Sequence, residues 1–266
     1  MTQEFLAGTI DHTLLKPDAE SHQFTQLFEE AAHYGFHSVC VNPSRVEEAN
    51  KFLKDNQVKV CSVVGFPLGA STTSTKLQEM ESCILDGAVE IDMVMNIGYF
   101  KDGNLDYVAD EIVQIVNSSS GNILKVIIET NLLNDDEISQ ASKLVEDSGA
   151  QFVKTSTGFY GSSATPDLVR SIRGQDHRRV HGDLRDVDLR RGGSGFSHQL
   201  GQARGGPASG MSLDLSFQRG SDRGPDRGGA LLARGVRVHA SLFLAGNHDR
   251  DDYLGLDALD RQGGAA

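Results

Sequence analysis

The segment VEIDMVMN, residues 89–96, alternates apolar and polar side chains. In a strand, a period of two sends successive side chains to opposite faces. Ile91, Met93 and Met95 suit a face covered by helices, which leaves Glu90, Asp92 and Val94 pointing the other way, into an interior. Neighbouring segments repeat the pattern. LKVIIET (124–130) directs Lys125, Ile127 and Glu129 inward, and QFVKTST (151–157) directs Phe152, Lys154 and Ser156. HSVCVN (37–42) adds Ser38, Cys40 and Asn42. Ionisable groups from separate strands therefore converge on one interior.

These segments belong to a longer rhythm. TIDHTLL (9–15), FHSVCVN (36–42), KVCSVVGF (59–66), VEIDMVMN, LKVIIET and QFVKTST alternate with stretches of helical period. Strand–helix alternation of this kind predicts βα units and a parallel sheet. Ser21 is placed to cap the helix HQFTQLFEEAAHY and Gly35 to end it, while Pro43 and Ser44 open SRVEEANKFLKD. In DEISQASKLVEDSG, acidic residues fill the first turn and Gly149 follows the last. Six such units make six-eighths of a (β/α)8 barrel, the TIM-barrel α/β class. An open doubly wound sheet is the alternative, but the first strand lacks a Gly-rich dinucleotide turn. GFPLGASTTSTK is not a P-loop, because no Gly-Lys-Ser/Thr closes it.

Composition bounds the rest. The chain has 266 residues and a net charge of −12, which argues against non-specific nucleic-acid binding. No apolar run reaches the roughly 18 residues of a membrane span, and MTQEFLAGTIDH does not read as a secretory signal. Cys40, Cys61 and Cys83 are an odd number and far apart, so neither a zinc site nor a disulfide framework is expected, and a cytoplasmic home is.

A buried amine loses hydration as a cation, so its pKa falls, and the neutral amine attacks carbonyls to form a Schiff base. A nearby carboxyl group shuttles the protons. Lys154 with Asp92 fits that chemistry. A structural ion pair of Lys154 with Asp92 or Glu129 fits the spacing as well. Lys125 competes as nucleophile but lies at a strand start, where barrels place residues that serve stability. Cys40 reads as a small core residue before a nucleophile. His12 reads as a satisfied strand-end histidine before a substrate-orienting one. Thr72, Thr73, Ser74 and Thr75 read as a loop and helix cap before ligand contacts.

IDHTLLKPDA, VCVNP, VVGFPLGASTTSTK, GAVEIDMVMNIG, LKVIIET and FVKTSTGF, in this order and spacing, closely resemble the deoxyribose-phosphate aldolases over residues 5–173. The resemblance implies a class I aldolase in a TIM barrel, acting without metal or cofactor in deoxyribonucleotide catabolism. It implies cleavage of 2-deoxy-D-ribose 5-phosphate to glyceraldehyde 3-phosphate and acetaldehyde. Lys154 in KTSTG is then the Schiff-base lysine and Asp92 in EIDMV the proton donor and acceptor. Thr155, Ser156, Thr157, Gly158, Asp11, Thr13 and Cys40 become substrate-binding residues. The implied partner is a small phosphorylated sugar or aldehyde, with neither nucleic acid nor membrane, in a chain that could pair as a homodimer.

After residue 173 the composition changes. Residues 1–173 hold all 9 Lys, 13 Glu, 11 Ile and 11 Thr of the chain, and residues 174–266 hold 13 of the 16 Arg and 18 of the 29 Gly. The family resembled expects a seventh strand with a second lysine and an eighth ending in a glycine turn. No lysine follows Lys154, so that second-lysine role falls on no residue. The codon bias of these residues points to a reading-frame shift near codon 174, and the composition to a largely disordered segment over 174–266. A genuine Gly/Arg-rich tail is the alternative. ALLARGVRVHASLFLAG (230–246) is expected to form one element against the barrel edge. Without a replacement, strands one and six would present bare edges and the barrel would be a non-catalytic remnant. GNHD (246–249), with His248, Asp249, Asp251 and Asp252, matches metallophosphatases too briefly to define a metal site.

Overall fold

The computed structural model describes residues 7–160, 172, 213–217 and 238–243. The strands are β1 (Ile10–Leu14), β2 (Ser38–Val41), β3 (Lys59–Val64), β4 (Glu90–Val94), β5 (Ile123–Ile127), β6 (Phe152–Lys154), β7 (Leu213–Phe217) and β8 (Val238–Phe243). Strands β1 to β6 pair in sequence order, all parallel. The helices are α1 (Ser21–Tyr34), α2 (Val46–Phe52), α3 (Thr73–Leu85), α4 (Ile97–Lys101), α5 (Leu105–Ser118) and α6 (Asp135–Asp147).

The sheet closes into a ring of eight strands. Strand β8, which lies inside the 230–246 stretch, pairs parallel to β1. Strand β7 pairs antiparallel to both β6 and β8. The bare edges expected on β1 and β6 are therefore covered by backbone from beyond residue 173. The cover departs from the all-parallel (β/α)8 pattern, because one strand runs against the other seven. These strands belong to a single unit, Met1–Gly174 with Ser212–Phe243. The other residues of 174–266, GNHD among them, lie outside the described residues.

The local signals read in the sequence hold with small shifts. Glu20, not Ser21, is the N-cap of α1, and it forms a capping box with Gln23. The Gln23 side chain accepts from the Glu20 amide at 2.9 Å. Gly35 ends α1 at φ 67°, a left-handed conformation that glycine adopts without penalty. Pro43–Arg45 form a 3-10 turn before α2. Thr72 caps α3 by accepting from the Thr75 amide. Asn134 and Glu137 form the capping box of α6.

Both faces of the central strands are buried, as a parallel sheet covered by helices requires. Ile91 and Met93 pack outward and are fully buried. Inside, Leu15, Cys40, Cys61 and Val63 form an apolar patch contributed by the β1 to β3 side, with Phe66 against it. Most of the buried charges inside the ring come from β4 to β6 (Glu90, Asp92, Lys125 and Lys154), and β1 adds Asp11. The patch borders this ionic group through Cys61.

Candidate active site

Parallel pairing sets Asp92 beside Lys125 and Ile127 beside Lys154. Paired residues in a parallel sheet share a face, so the two lysines and Asp92 meet inside the ring. Lys154 Nζ donates to Asp92 Oδ2 at 2.6 Å, with the lysine side chain 2% exposed. Lys154 is the last residue of β6. A barrel places its chemistry at strand C-terminal ends, where loops can admit a substrate.

Lys125 sits one level lower and is fully enclosed. Its ammonium lies 2.9 Å from Asp11 Oδ2, 2.9 Å from Glu90 Oε2 and 3.1 Å from Asp92 Oδ1. Directed hydrogen bonds go to Asp11 and to Cys61 Sγ at 3.6 Å, so the Glu90 contact is chiefly electrostatic. Burial alone would lower the Lys125 pKa, but Asp11, Asp92, Cys61 and Glu90 together raise it well above the ordinary lysine value. Lys125 is therefore held as a cation by the carboxylates around it.

The carboxylates below are held in turn. Ser38 Oγ donates to Asp11 Oδ1 at 2.7 Å, and His37 Nε2 lies 2.8 Å from Glu90 Oε1. Burial works to raise the Glu90 pKa, yet the Lys125 charge and the His37 bond bring it down to about 2. Cys61 Sγ donates to Asp92 Oδ1 at 3.3 Å. Burial, with Cys40 and Asp92 beside it, pushes the Cys61 thiol well above its ordinary pKa. It stays protonated at neutral pH.

Among the described residues, two groups of ligand-type atoms are close enough to hold a metal, Cys40–Cys61–Asp92 and Asp11–His37–Glu90. The Lys125 ammonium touches members of both groups. It already supplies the positive charge that a metal would bring, so neither group reads as a cation site.

The loop after Lys154 is organised by Glu129. The Thr157 amide donates to Glu129 Oε2 at 2.9 Å, and the Thr157 hydroxyl donates to the same oxygen. The Thr130 amide donates to the Thr155 carbonyl at 2.8 Å. Gly158 turns the chain at φ 81°, in the left-handed region. Thr155, Ser156 and Thr157 are all buried beside Lys154. Glu129 thus pairs with the loop and not with Lys154, which removes one of the two ion pairs the spacing allowed.

The other sequence-derived candidates fall in two places. Asp11, Thr13 and Cys40 face the interior from β1 and β2, but the Thr13 hydroxyl donates to the Asp11 carbonyl at 2.9 Å and the Asp11 carboxylate is engaged by Lys125. Cys40 belongs to the apolar patch. His12 faces outward. Its Nε2 lies 2.8 Å from Glu30 on α1, and its ring meets Phe36 edge-on at 5.1 Å between centroids. The substrate-orienting reading of His12 gives way to the structural one.

Sequence reasoning missed the buried pair of Lys76 and Glu111, at 2.8 Å. Its signal is faint. Lys76 follows a run of hydroxyl residues and Glu111 sits at a buried position of α5, an arrangement that only the helix packing reveals.

The family described as DeoC/LacD family aldolase matches residues 5–203. The chain belongs to that family. The match reaches thirty residues past the boundary at 173 where the motifs end. The chain is 52% identical over 167 residues to a deoxyribose-phosphate aldolase of Staphylococcus haemolyticus, covering 63% of this chain and 76% of the relative. It is 54% identical over 164 residues to deoxyribose-phosphate aldolase 1 of Staphylococcus aureus, covering 62% and 74%. Among solved structures, the tetrameric deoxyribose phosphate aldolase of Aeropyrum pernix aligns with a TM-score of 0.60 at 34% identity, over 64% of this chain and 72% of that one. By family, the chain is an aldolase of the lyase class. The DeoC-family core accounts for the barrel from β1 to β6. The seventh place in the ring is taken by LDLSF, which carries no lysine.

Proposed function

We propose that this barrel performs deoxyribose-phosphate aldolase chemistry through an imine on Lys154. The observation that carries the reading is the Lys154–Asp92 contact of 2.6 Å, buried at the C-terminal end of β6. Lys154 Nζ attacks C1 of the open-chain aldehyde, and the carbinolamine loses water to give the iminium. Asp92 is placed to carry the protons of that dehydration. Removal of the C3 hydroxyl proton breaks the C2–C3 bond. Glyceraldehyde 3-phosphate leaves, and the two-carbon fragment remains on Lys154 as an enamine. Protonation at C2 and hydrolysis release acetaldehyde and restore the amine.

The interior suits this division of labour. The apolar patch of Leu15, Cys40, Cys61 and Val63 offers a wall for a two-carbon aldehyde. Thr155, Ser156, Thr157 and Gly158 are the proposed substrate contacts beside the lysine, and Asp11 acts through its ion pair with Lys125. Lys125 is the fixed cation next to Asp92, in a chain without a lysine after Lys154. A low rate is the expected consequence of lacking the second lysine that the family resemblance implies for the seventh strand. Free, buried Cys40, Cys61 and Cys83 agree with a cytoplasmic setting. No helix among the described residues is long and apolar enough to cross a membrane.

A second reading rests on the antiparallel β7, which brings no strand C-terminal end to the top of the ring. On that reading the barrel is a folded remnant without turnover. Borohydride reduction in the presence of acetaldehyde separates the two. A covalent two-carbon adduct mapped to Lys154 supports the aldolase reading, and an unmodified Lys154 in soluble, folded protein supports the remnant.

A further inference from the structure

The last residue pair between β3 and β4 is Val64 with Met93. Beyond it β3 turns away at Gly65, whose φ is +62°. The next carbonyl of β4, that of Val94, has thus outrun its neighbouring strand. A buried carbonyl without a partner is costly. Lys76 Nζ supplies the partner at 2.9 Å, reaching in from α3. The same ammonium lies 2.8 Å from Glu111 Oε2 on α5, and that oxygen also accepts the Asn96 amide at 3.2 Å. One ion pair therefore takes a carbonyl and an amide on either side of Met95, where β4 leaves the barrel.

The surroundings are fitted to the pair. A Cβ built at Gly65 would come within 2.8 Å of Lys76 Cε, so the glycine leaves room for the lysine stem. Thr73 Oγ1 is 3.4 Å from Glu111 Oε1. Both Lys76 and Glu111 are wholly buried. Burial pushes the lysine pKa down and the glutamate pKa up, each toward its neutral form. Such a pair adds little to stability over apolar side chains of similar volume. What it does supply is a fixed end to β4, two residues beyond Asp92.

We infer that Lys76 and Glu111 are positioning residues for the imine chemistry, standing in for the missing sheet partner at the end of β4 and thereby holding Asp92 against Lys154. The inference rests on the aldolase reading for its catalytic consequence. The chain from pair to reacting atoms is short. Lys76 grips the Val94 carbonyl, Val94 shares the inward face with Asp92, and Asp92 Oδ2 meets Lys154 Nζ at 2.6 Å. A loosened strand end would move the carboxylate by a fraction of an ångström to an ångström, a displacement to which proton shuttling is sensitive.

The test is the double variant Lys76→Met/Glu111→Leu, made in the wild-type chain and in an Asp92→Asn background. Melting temperature, the rate of borohydride trapping of acetaldehyde on Lys154, and a crystal structure are measured for each. The expected result is an unchanged or raised melting temperature with trapping slowed on the order of 10- to 100-fold. In the Asp92→Asn background the double variant should slow residual trapping no further, because the pair acts through Asp92. In the wild-type background, the crystal structure of the double variant should show the Asp92 carboxylate displaced from Lys154 Nζ and the contact lengthened from 2.6 Å. Equal slowing in both backgrounds, or a contact of unchanged length, overturns the inference. Should the double variant not fold, Glu111→Gln serves the same comparison, keeping the shape while weakening the hold on Lys76 and Asn96. If the unaltered chain traps no acetaldehyde, the aldolase reading fails, and the crystal comparison alone decides the positioning role.

Discussion

Asp92 bridges two lysines inside the barrel, accepting from Lys154 at 2.6 Å on Oδ2 and facing Lys125 at 3.1 Å on Oδ1. The same carboxylate therefore serves a proposed nucleophile and a fixed cation. Removing its charge should have two separable effects. In Asp92→Asn, imine trapping on Lys154 is expected to slow about 100-fold or more, the usual worth of a positioned acid–base group. Stability should fall by about 3–5 kcal/mol, because the buried Lys125 cation loses a counter-charge and Lys154 loses its charged partner. Trapping kinetics and urea unfolding measure the two. A variant that traps acetaldehyde at the parental rate would remove Asp92 from the mechanism.

Glu90 makes the fold sensitive to acid. Its pKa, about 2, lies below the ordinary glutamate value of 4.5, so the folded state favours the ionised form. The stabilisation is complete above about pH 4.5 and is lost as the pH falls toward 2, on the order of 3 kcal/mol in all. Urea unfolding of the parent should show this loss, and Glu90→Gln, already lacking the charge, should show less of it. Parallel loss in both proteins would exclude Glu90 as the source.

The thiols should be inert until the protein opens. Burial raises Cys83 to about 11, and Cys61 is raised well above its ordinary value. Iodoacetamide at pH 8 is expected to modify none of the three buried cysteines faster than the protein unfolds, and all three in urea. Peptide mapping by mass spectrometry reads the outcome. Rapid alkylation of Cys61 in folded protein would show that the charge network is not closed.

Thr157 ties the loop after Lys154 to Glu129 through both amide and hydroxyl. Thr157→Val keeps the shape and the amide bond but removes the hydroxyl donor. A loss of about 1.5–3 kcal/mol is expected, the worth of a hydrogen bond to a charged group. Trapping should weaken with it, since the loop lines the lysine. An unchanged melting temperature would mean that the hydroxyl contributes nothing to holding the loop.

Strands β7 and β8 cover the edges of β6 and β1. A chain ending at residue 173 would expose both edges, each a template for intermolecular pairing. Light scattering at equal concentration should show the shortened chain associating and the full chain less so. Equal behaviour would mean that these strands do not protect the ring.

The first six strands and their inward faces were legible in the sequence because alternation along a strand is a local property. Glu90, Asp92, Lys125 and Lys154 could be placed on one interior by counting in twos. His12 could not be resolved this way, since its choice between substrate and Glu30 depends on where α1 packs. Nor could the rank of the lysines. Lys125 and Lys154 look alike in the sequence, and only the three carboxylates gathered around Lys125 make it a fixed cation.

The sequence by itself determined the βα rhythm, the inward polar set and the family, because periodicity and motif order are carried along the chain. It also showed that no lysine follows Lys154. The tertiary structure alone decided that LDLSF and VHASLF complete the ring, one of them antiparallel, and that Lys76 and Glu111 meet behind β4. Those contacts join residues far apart in the chain, and which distant groups become neighbours is fixed by helix and sheet packing, which no local pattern encodes.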